Sequence, residues 1–397
     1  MARDRDVALL FATRVVRLFA YGFLSIVLVL YLSALGLDDR RIGLLLTLTL
    51  AGDVVLSLFL TTRSDVMGRR WTLIAGAILM AAAAVVFAAT NVFVLLVLAA
   101  TIGVISPSGN EVGPFLAIEQ VALAEVAPDS DRTSLYAWYN LVGSFATAAG
   151  SLAAGLFSEI LLRGGFSETS SYRSAIITYA ALGALLAILF RSLSPAVEAP
   201  VAASHPAFFR LHRSRGVILR LSSLFALDSF AGGLVIQSAM AFWFHQRFGV
   251  SPAKLGAIFF GANLLAGVSA LAAARIARRF GLLNTMVFTH LPSNVLLIAV
   301  PFMPTLALAL TVLLLRFSIS QMDVPTRQAY VIAAVDPAER TAAAGITGVA
   351  RTAGAALAPV IAVPLLLTLG HDWIPFVAAG LLKIVYDLAL LRAFRSA

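Results

Sequence analysis

Long apolar runs separated by short polar stretches make up almost the whole chain. They fall near residues 7–33, 42–62, 71–90, 92–125, 133–162, 173–191, 216–246, 253–276, 283–303, 306–334, 339–369 and 372–394. A helix needs roughly 20 apolar residues to cross the hydrocarbon core of a bilayer. Each run therefore predicts a membrane-spanning helix, numbered here as spans 1 to 12, and tilt accommodates the longest of them. The first run follows a short charged start, Met1 to Asp6, and no small-residue cleavage signal follows it. That pattern predicts a first span and not a removed leader.

Polar residues inside the runs are few and ordered. In span 10, Arg316, Ser320, Asp323 and Arg327 recur at i, i+4, i+7 and i+11, which places all four on one helix face. Span 1 carries a similar stripe of Arg14, Arg17, Tyr21 and Ser25. Such stripes cannot face lipid, so they must line a cavity or pair with a neighbouring helix. Span 4 contains Ser106-Pro107-Ser108-Gly109-Asn110-Glu111-Val112-Gly113-Pro114. Two prolines and two glycines in so short a stretch predict a break, whose freed backbone groups need polar partners. Asp323-Val324-Pro325 in span 10 is a related segment with one residue fewer.

Composition agrees with lipid as the solvent. Sixty per cent of the 397 residues are hydrophobic, 12% are charged, and mean hydropathy is +0.94. There is no cysteine, which excludes disulfides, thiolate catalysis and thiolate metal sites. The net charge of +9 does not point to nucleic acid, because the excess is loop arginine on one predicted side. With the N-terminus inside, inside segments hold seventeen arginines and outside segments six basic residues. That bias predicts both termini in the cytoplasm. The long loop 192–215, with Pro195, Pro200, Pro206 and an arginine cluster, then lies inside, where it meets anionic headgroups.

The same loop divides the chain into related halves, expected at 1–191 and 216–397. Gly36, Gly43 and Gly68 map onto Gly249, Gly256 and Gly281 at one constant offset of 213. Ala127 to Thr133, before span 5, is echoed by Asp336 to Thr341 before span 11. Acids and hydroxyls there are expected to cap helix N-termini. Two six-helix halves related by duplication are a known transporter plan, with the solute site near mid-membrane.

The loop between spans 2 and 3 reads Thr61-Thr62-Arg63-Ser64-Asp65-Val66-Met67-Gly68-Arg69-Arg70. It resembles the G-x-L-x-D-R-x-G-R-R motif of the major facilitator superfamily at Asp65, Gly68, Arg69 and Arg70, and departs from it at Thr61, Arg63 and Val66. The resemblance covers essentially the whole chain. It implies an all-α integral membrane fold of twelve helices in two pseudo-symmetric six-helix bundles, with spans 1, 4, 7 and 10 lining a central cavity. It also implies that Asp65, Gly68, Arg69 and Arg70 form a cytoplasmic gate. The second copy has Arg278 where the first has Asp65, so a gate there must differ. The glycine-proline signature of the family's drug antiporters is only partly present. Gly143, Gly150 and Gly155 stand in span 5, whereas the prolines, Pro359 and Pro364, stand in span 11.

The spans bury six acids (Asp53, Glu111, Glu119, Asp228, Asp323, Asp387) and six bases (Arg14, Arg17, Arg316, Arg327, Arg351, Lys383). The expected solute or ion cavity uses Arg14, Arg17, Tyr21, Glu111, Glu119, Asp228, Arg316, Asp323 and Arg327. Glu111 with Arg17 and Asp323 with Arg327 are candidate salt bridges. Asp53 is expected to pair with Arg351, and Lys383 with Asp387 at i, i+4. His245 and His290 have no second histidine nearby in sequence, so no metal site is expected. Trp71, Trp243 and Trp373 are expected to anchor at the interfaces.

The chain lacks a nucleotide-binding loop and the His-Glu-x-x-His and Gly-x-Ser-x-Gly signatures, so neither direct ATP drive nor an enzyme is expected, and no cofactor. The expected function is secondary active transport of a small solute by alternating access, coupled to protons through Asp228, Glu111 and Asp323, with efflux as a candidate direction. A uniporter, or a non-transporting sensor or scaffold of the same fold, is the alternative. The expected setting is a bacterial inner membrane. The expected partners are a small-molecule substrate, lipids and protons, with no nucleic acid, and the chain is expected to be a monomer.

Overall fold

The computed structural model describes residues 2–111, 113–126, 132–198, 214–336, 339–368 and 370–394. All regular structure among them is helical. Eight of the expected spans are continuous: α1 (Ala2–Ala34), α2 (Asp39–Met67), α3 (Arg69–Ala89), α6 (Arg132–Arg163), α7 (Glu168–Arg191), α10 (Pro252–Phe280), α11 (Leu282–Ala299) and α16 (Ile374–Phe394). The other four are each broken into two helices. Span 4 is α4 (Phe93–Ile102) and α5 (Phe115–Val126), and span 7 is α8 (Arg215–Gly233) and α9 (Gln237–Phe248). Span 10 is α12 (Leu306–Ser320) and α13 (Asp323–Ala333), and span 11 is α14 (Arg340–Ala356) and α15 (Pro359–Leu367).

Eleven described runs are long and apolar enough to cross a membrane, and the break reduces span 4 to the short apolar helix Phe93–Ile102. The described residues between α4 and α5, 103–111, 113 and 114, are non-helical, with Gly109 and Gly113 in the left-handed region at φ 71° and 76°. Pro107 and Pro114 cannot donate to a helix ladder, which explains why the break falls here. Its polar groups find partners inside the protein. The Tyr179 hydroxyl donates to the Val104 carbonyl (2.9 Å), and the Ser106 hydroxyl to the Asn110 carbonyl (2.7 Å). The Gly113 N–H donates to Asp53 Oδ1 (2.5 Å).

The chain forms two compact units, one of residues 1–204 and 240–260, the other of residues 205–239 and 261–397. In the first, α1 packs on α6 and α3 on α7; in the second, α8 packs on α14 and α11 on α16. These are corresponding spans, so the packing repeats with the sequence. The turn glycines repeat too: Gly36 and Gly249 (φ 81° and 61°) and Gly68 and Gly281 (φ 91° and 84°) all adopt the left-handed conformation. Close backbone approach explains two more glycines. A methyl group at Gly22 of α1 would overlap the Thr147 carbonyl of α6, and one at Gly354 of α14 the Ala226 carbonyl of α8. Small residues at such crossings let dispersion contacts form where no hydrophobic effect drives helix association.

Two expectations change here. Trp243 is completely buried, with its ring edge-to-face against Phe244 (4.9 Å), and is not an interfacial anchor; Trp71 and Trp373 are exposed. The repeat element Ala127–Thr133 lies mostly outside the described residues. In its second copy, Glu339 does not cap α14; its carboxylate accepts the Ser214 N–H (2.8 Å) at the start of α8.

Gly22→Val is expected to destabilise the protein by about 1–3 kcal/mol through overpacking. Gly216→Ala, at a position with open space around it, should leave stability unchanged. Thermal unfolding of the two purified variants checks the contrast.

Candidate functional site

Each unit contains a buried cluster of charged side chains assembled from several helices. In the first unit it joins α1, α5, α6 and the broken stretch of span 4. Arg17 is fully buried and grips Glu119 with two hydrogen bonds of 2.6 Å. Glu119 also accepts from Thr13 (3.0 Å) and from the Tyr139 hydroxyl. Arg14 pairs with Glu111, and donates to the Tyr139 carbonyl (2.7 Å) and to Asn140 Oδ1 (3.2 Å). Arg17 reaches Glu111 as well (3.3 Å), which closes a four-residue network of zero net charge. The guanidiniums lie over aromatic rings, Arg14 over Tyr139 (4.3 Å) and Arg17 over Phe115 (4.9 Å). Arg17 and Glu119 are 0% exposed, but Glu111 is 20% exposed. Glu111, in the helix break, is therefore the accessible edge of this cluster.

Tyr21 and Ser25, the rest of the span 1 stripe, are fully buried, and the Ser25 hydroxyl donates to the Gly22 carbonyl (2.7 Å). Asp53 of α2 holds the break itself, accepting from Gly113 N–H and from the Ser57 hydroxyl (3.1 Å).

The cluster of the second unit joins α8, α11, α13 and α16. Asp228 accepts from Lys383 Nζ (2.6 Å) and Arg327 (3.1 Å), and Arg327 also binds Asp323 (2.9 Å). Asp387 is held by His290 Nδ1 (2.9 Å) and Asn294 (2.9 Å). The other ring nitrogen, Nε2, faces Asp228 at 4.0 Å, beyond hydrogen-bonding distance. Arg316 and Arg351 are half-buried and form no hydrogen bond or ion pair among the described residues.

The expected pairs Glu111–Arg17 and Asp323–Arg327 are both present in this structure. The pairing of Lys383 with Asp387 is not. From α16 the lysine reaches Asp228 on α8, and His290 takes its place at Asp387. Both carboxylates are buried, but Asp387 is already held by His290 and Asn294, which leaves Asp228 as the carboxylate open to the lysine. Asp53 with Arg351 would join the two units. Within its own unit Asp53 is held by Gly113 and Ser57, and Arg351 has no hydrogen bond or ion pair among the described residues. Sequence reasoning set aside His290 because its partner lies 97 residues away.

The gate motif sits at the α2–α3 turn. The side chain of Asp65 lies outside the described residues. Arg69 is buried and donates to the Val197 carbonyl (3.3 Å); Arg70 donates to the Arg191 carbonyl (2.5 Å). The backbone N–H groups of Arg69 and Arg70 bind the Glu198 carboxylate (2.7 and 3.2 Å), which caps the N-terminus of α3. Asp6 of α1 binds the Ser194 N–H (3.0 Å) and hydroxyl. Neither Asp6 nor Glu198 was singled out from the sequence, because each acts on a segment far along the chain.

The family described as Major Facilitator Superfamily matches residues 10–359. An uncharacterized membrane protein of Saccharomyces cerevisiae, YJR124C, is 31% identical, over 98% of this chain and 94% of its own. Among solved structures, the nucleoside transporter NupG superposes with a TM-score of 0.75 at 16% identity, covering 98% of this chain and 99% of its own. A bacterial homolog of the human lysosomal transporter Spinster superposes with a TM-score of 0.77 at 15% identity, covering 100% and 97%. The twelve-span fold is that of these transporters. The expected bacterial source finds no support in these relatives, one of which is from yeast.

Glu119→Gln is expected to cost about 3–5 kcal/mol, because it leaves the buried Arg17 charge uncompensated. Replacing both residues with leucine should recover much of that loss, since the desolvation cost disappears with the charges. Chemical unfolding of the single and double variants measures both effects. Glu198→Gln should cost about 0.5–2 kcal/mol as a lost helix cap, and the same unfolding series reads it.

Proposed function

Because the chain belongs to the major facilitator superfamily and is a multi-pass membrane transporter, we propose that it moves a small solute by alternating access, as a proton-coupled secondary transporter. The observation that carries this reading is a buried, multi-helix charge cluster beside a helix break in each unit: Glu111 at the break of span 4, and Asp323 at that of span 10. Buried charge and freed backbone are both costly in a membrane, and they persist where they line a path or a coupling site.

Protonation would supply the coupling. Asp228 neutralises Lys383 and shares Arg327 with Asp323. A proton on Asp228 removes one negative charge from that balance and loosens its hold on both cations. Glu111, the most accessible acid of the first unit's cluster, stands in the same relation to Arg14 and Arg17. The cavity would take Arg14, Arg17, Tyr21, Glu111 and Glu119 from one six-helix bundle (1–191), and Asp228, Arg316, Asp323 and Arg327 from the other (216–397). The linker 192–215 would join the two bundles. Asp65 with Arg69 and Arg70 would latch the cytoplasmic side, where both termini would lie. Efflux is the proposed direction, and a monomer the working unit.

Proteoliposomes holding the purified protein and an internal pH dye test the coupling. Solute addition should change internal pH, and Asp228→Asn should abolish that change while the solute still binds. Solute flux without any pH change would remove proton coupling and leave facilitated diffusion.

A further inference from the structure

We propose that the second unit carries a binding site for the oxyanion group of a small organic anion, with the Arg316 and Arg351 guanidiniums as its donors. The inference rests on the transporter reading and names the substrate class. The second unit's cluster region holds the bases Arg316, Arg327, Arg351 and Lys383 and the acids Asp228, Asp323 and Asp387, with Arg316 and Arg351 half-buried and the others buried. Lys383 and Arg327 are committed to Asp228 and Asp323, and Asp387 is held by His290 and Asn294. Arg316 and Arg351 remain. The Nε of each is buried without an acceptor, and among the described residues neither guanidinium has a hydrogen bond or an ion pair.

The two arginines belong to one neighbourhood. Arg316 stands two helical turns before Asp323 in span 10, and Arg351 stands on α14, which packs on α8, the helix of Asp228, and on α13, the helix of Asp323 and Arg327. One turn beyond Arg316, the Ser320 hydroxyl is 4% exposed and likewise lacks a partner. Two planar five-donor groups and a hydroxyl are therefore present without acceptors. An orphaned buried donor is costly, and a charged one more so. An oxyanion supplies the missing kind of acceptor, since guanidinium matches carboxylate or phosphate oxygens in bidentate geometry.

The first unit sharpens the assignment. There Arg14 and Arg17 are saturated by Glu111 and Glu119, so no guanidinium is left over. Of the two clusters, only the second unit's holds guanidiniums without an ion pair or hydrogen bond among the described residues, which disfavours a cationic amphiphile as its guest.

The test uses the full-length purified protein at matched ionic strength, with succinate and glycerol 3-phosphate as oxyanion probes. Glucose and tetraphenylphosphonium serve as neutral and cationic controls. At least one oxyanion probe at millimolar concentration should raise the melting temperature, and neither control should. The response to the two oxyanions separates a carboxylate site from a phosphate site. Arg316→Ala and Arg351→Ala should each weaken binding by about tenfold or more, and the lysine variants should retain part of it. Glutamine variants replace any alanine variant that does not fold.

The proposal is overturned if neither oxyanion stabilises the protein, if their effect survives both substitutions, or if tetraphenylphosphonium stabilises instead. It is also overturned if Asp53→Asn restores the stability lost in Arg351→Ala while oxyanion binding is unchanged, which would make Arg351 a structural partner of Asp53. Flux of a neutral or cationic solute without oxyanion binding would remove the anion and leave transport standing. Oxyanion binding without any flux would do the reverse.

Discussion

A carboxylate or guanidinium placed among lipid-spanning helices is costly unless an opposite charge or a hydrogen-bonding partner meets it, and this cost organises both charge clusters. The Arg17–Glu119 pair offsets it most completely: both side chains are fully buried and joined by two 2.6 Å contacts. Around that pair the rest of the first cluster is determined. Thr13 and Tyr139 fill the remaining positions on Glu119, and Arg14 turns to Glu111 and the α6 backbone. The small residues at the α1–α6 crossing let those helices approach closely enough for α1 arginines to reach α6 acceptors.

The helix breaks follow the same logic applied to backbone. Span 4 opens at its prolines, and its freed groups are taken up by Asp53, Tyr179 and Ser106. Asp53 is thereby more than one charge among several, because it fixes the loop that presents Glu111. The two units then diverge. One balances its central arginines fully, whereas the other gathers Asp228, Lys383, Arg327, His290 and Asp387 into a network that leaves two arginines unmatched. A duplicated fold with unequal clusters is what a transporter needs if one half holds the solute's charged group and the other mainly moves.

Much of this was legible in the sequence, and for a physical reason. Spans are long apolar runs, and Pro107, Gly109, Gly113 and Pro114 announce a break locally. The polar stripes of spans 1 and 10 follow from helical periodicity alone. What was not legible depends on distance along the chain. Lys383 was matched to Asp387 on its own helix, because nothing local reveals that Asp228, 155 residues away, lies closer. His290 looked isolated for the same reason, and Glu198 looked like ordinary linker. Trp243 stands near a helix end, where tryptophan often anchors, but the aromatic packing that buries it involves the fold around it.

The absence of native cysteine makes alternating access at the broken span directly measurable. A single cysteine at Asn110, exposed within the break, would be probed with a membrane-impermeant thiol reagent from either face of oriented vesicles. The account predicts labelling from both faces, with the two rates shifting in opposite directions when solute or the pH gradient is applied. Labelling from neither face, or from one face alone under every condition, would contradict it.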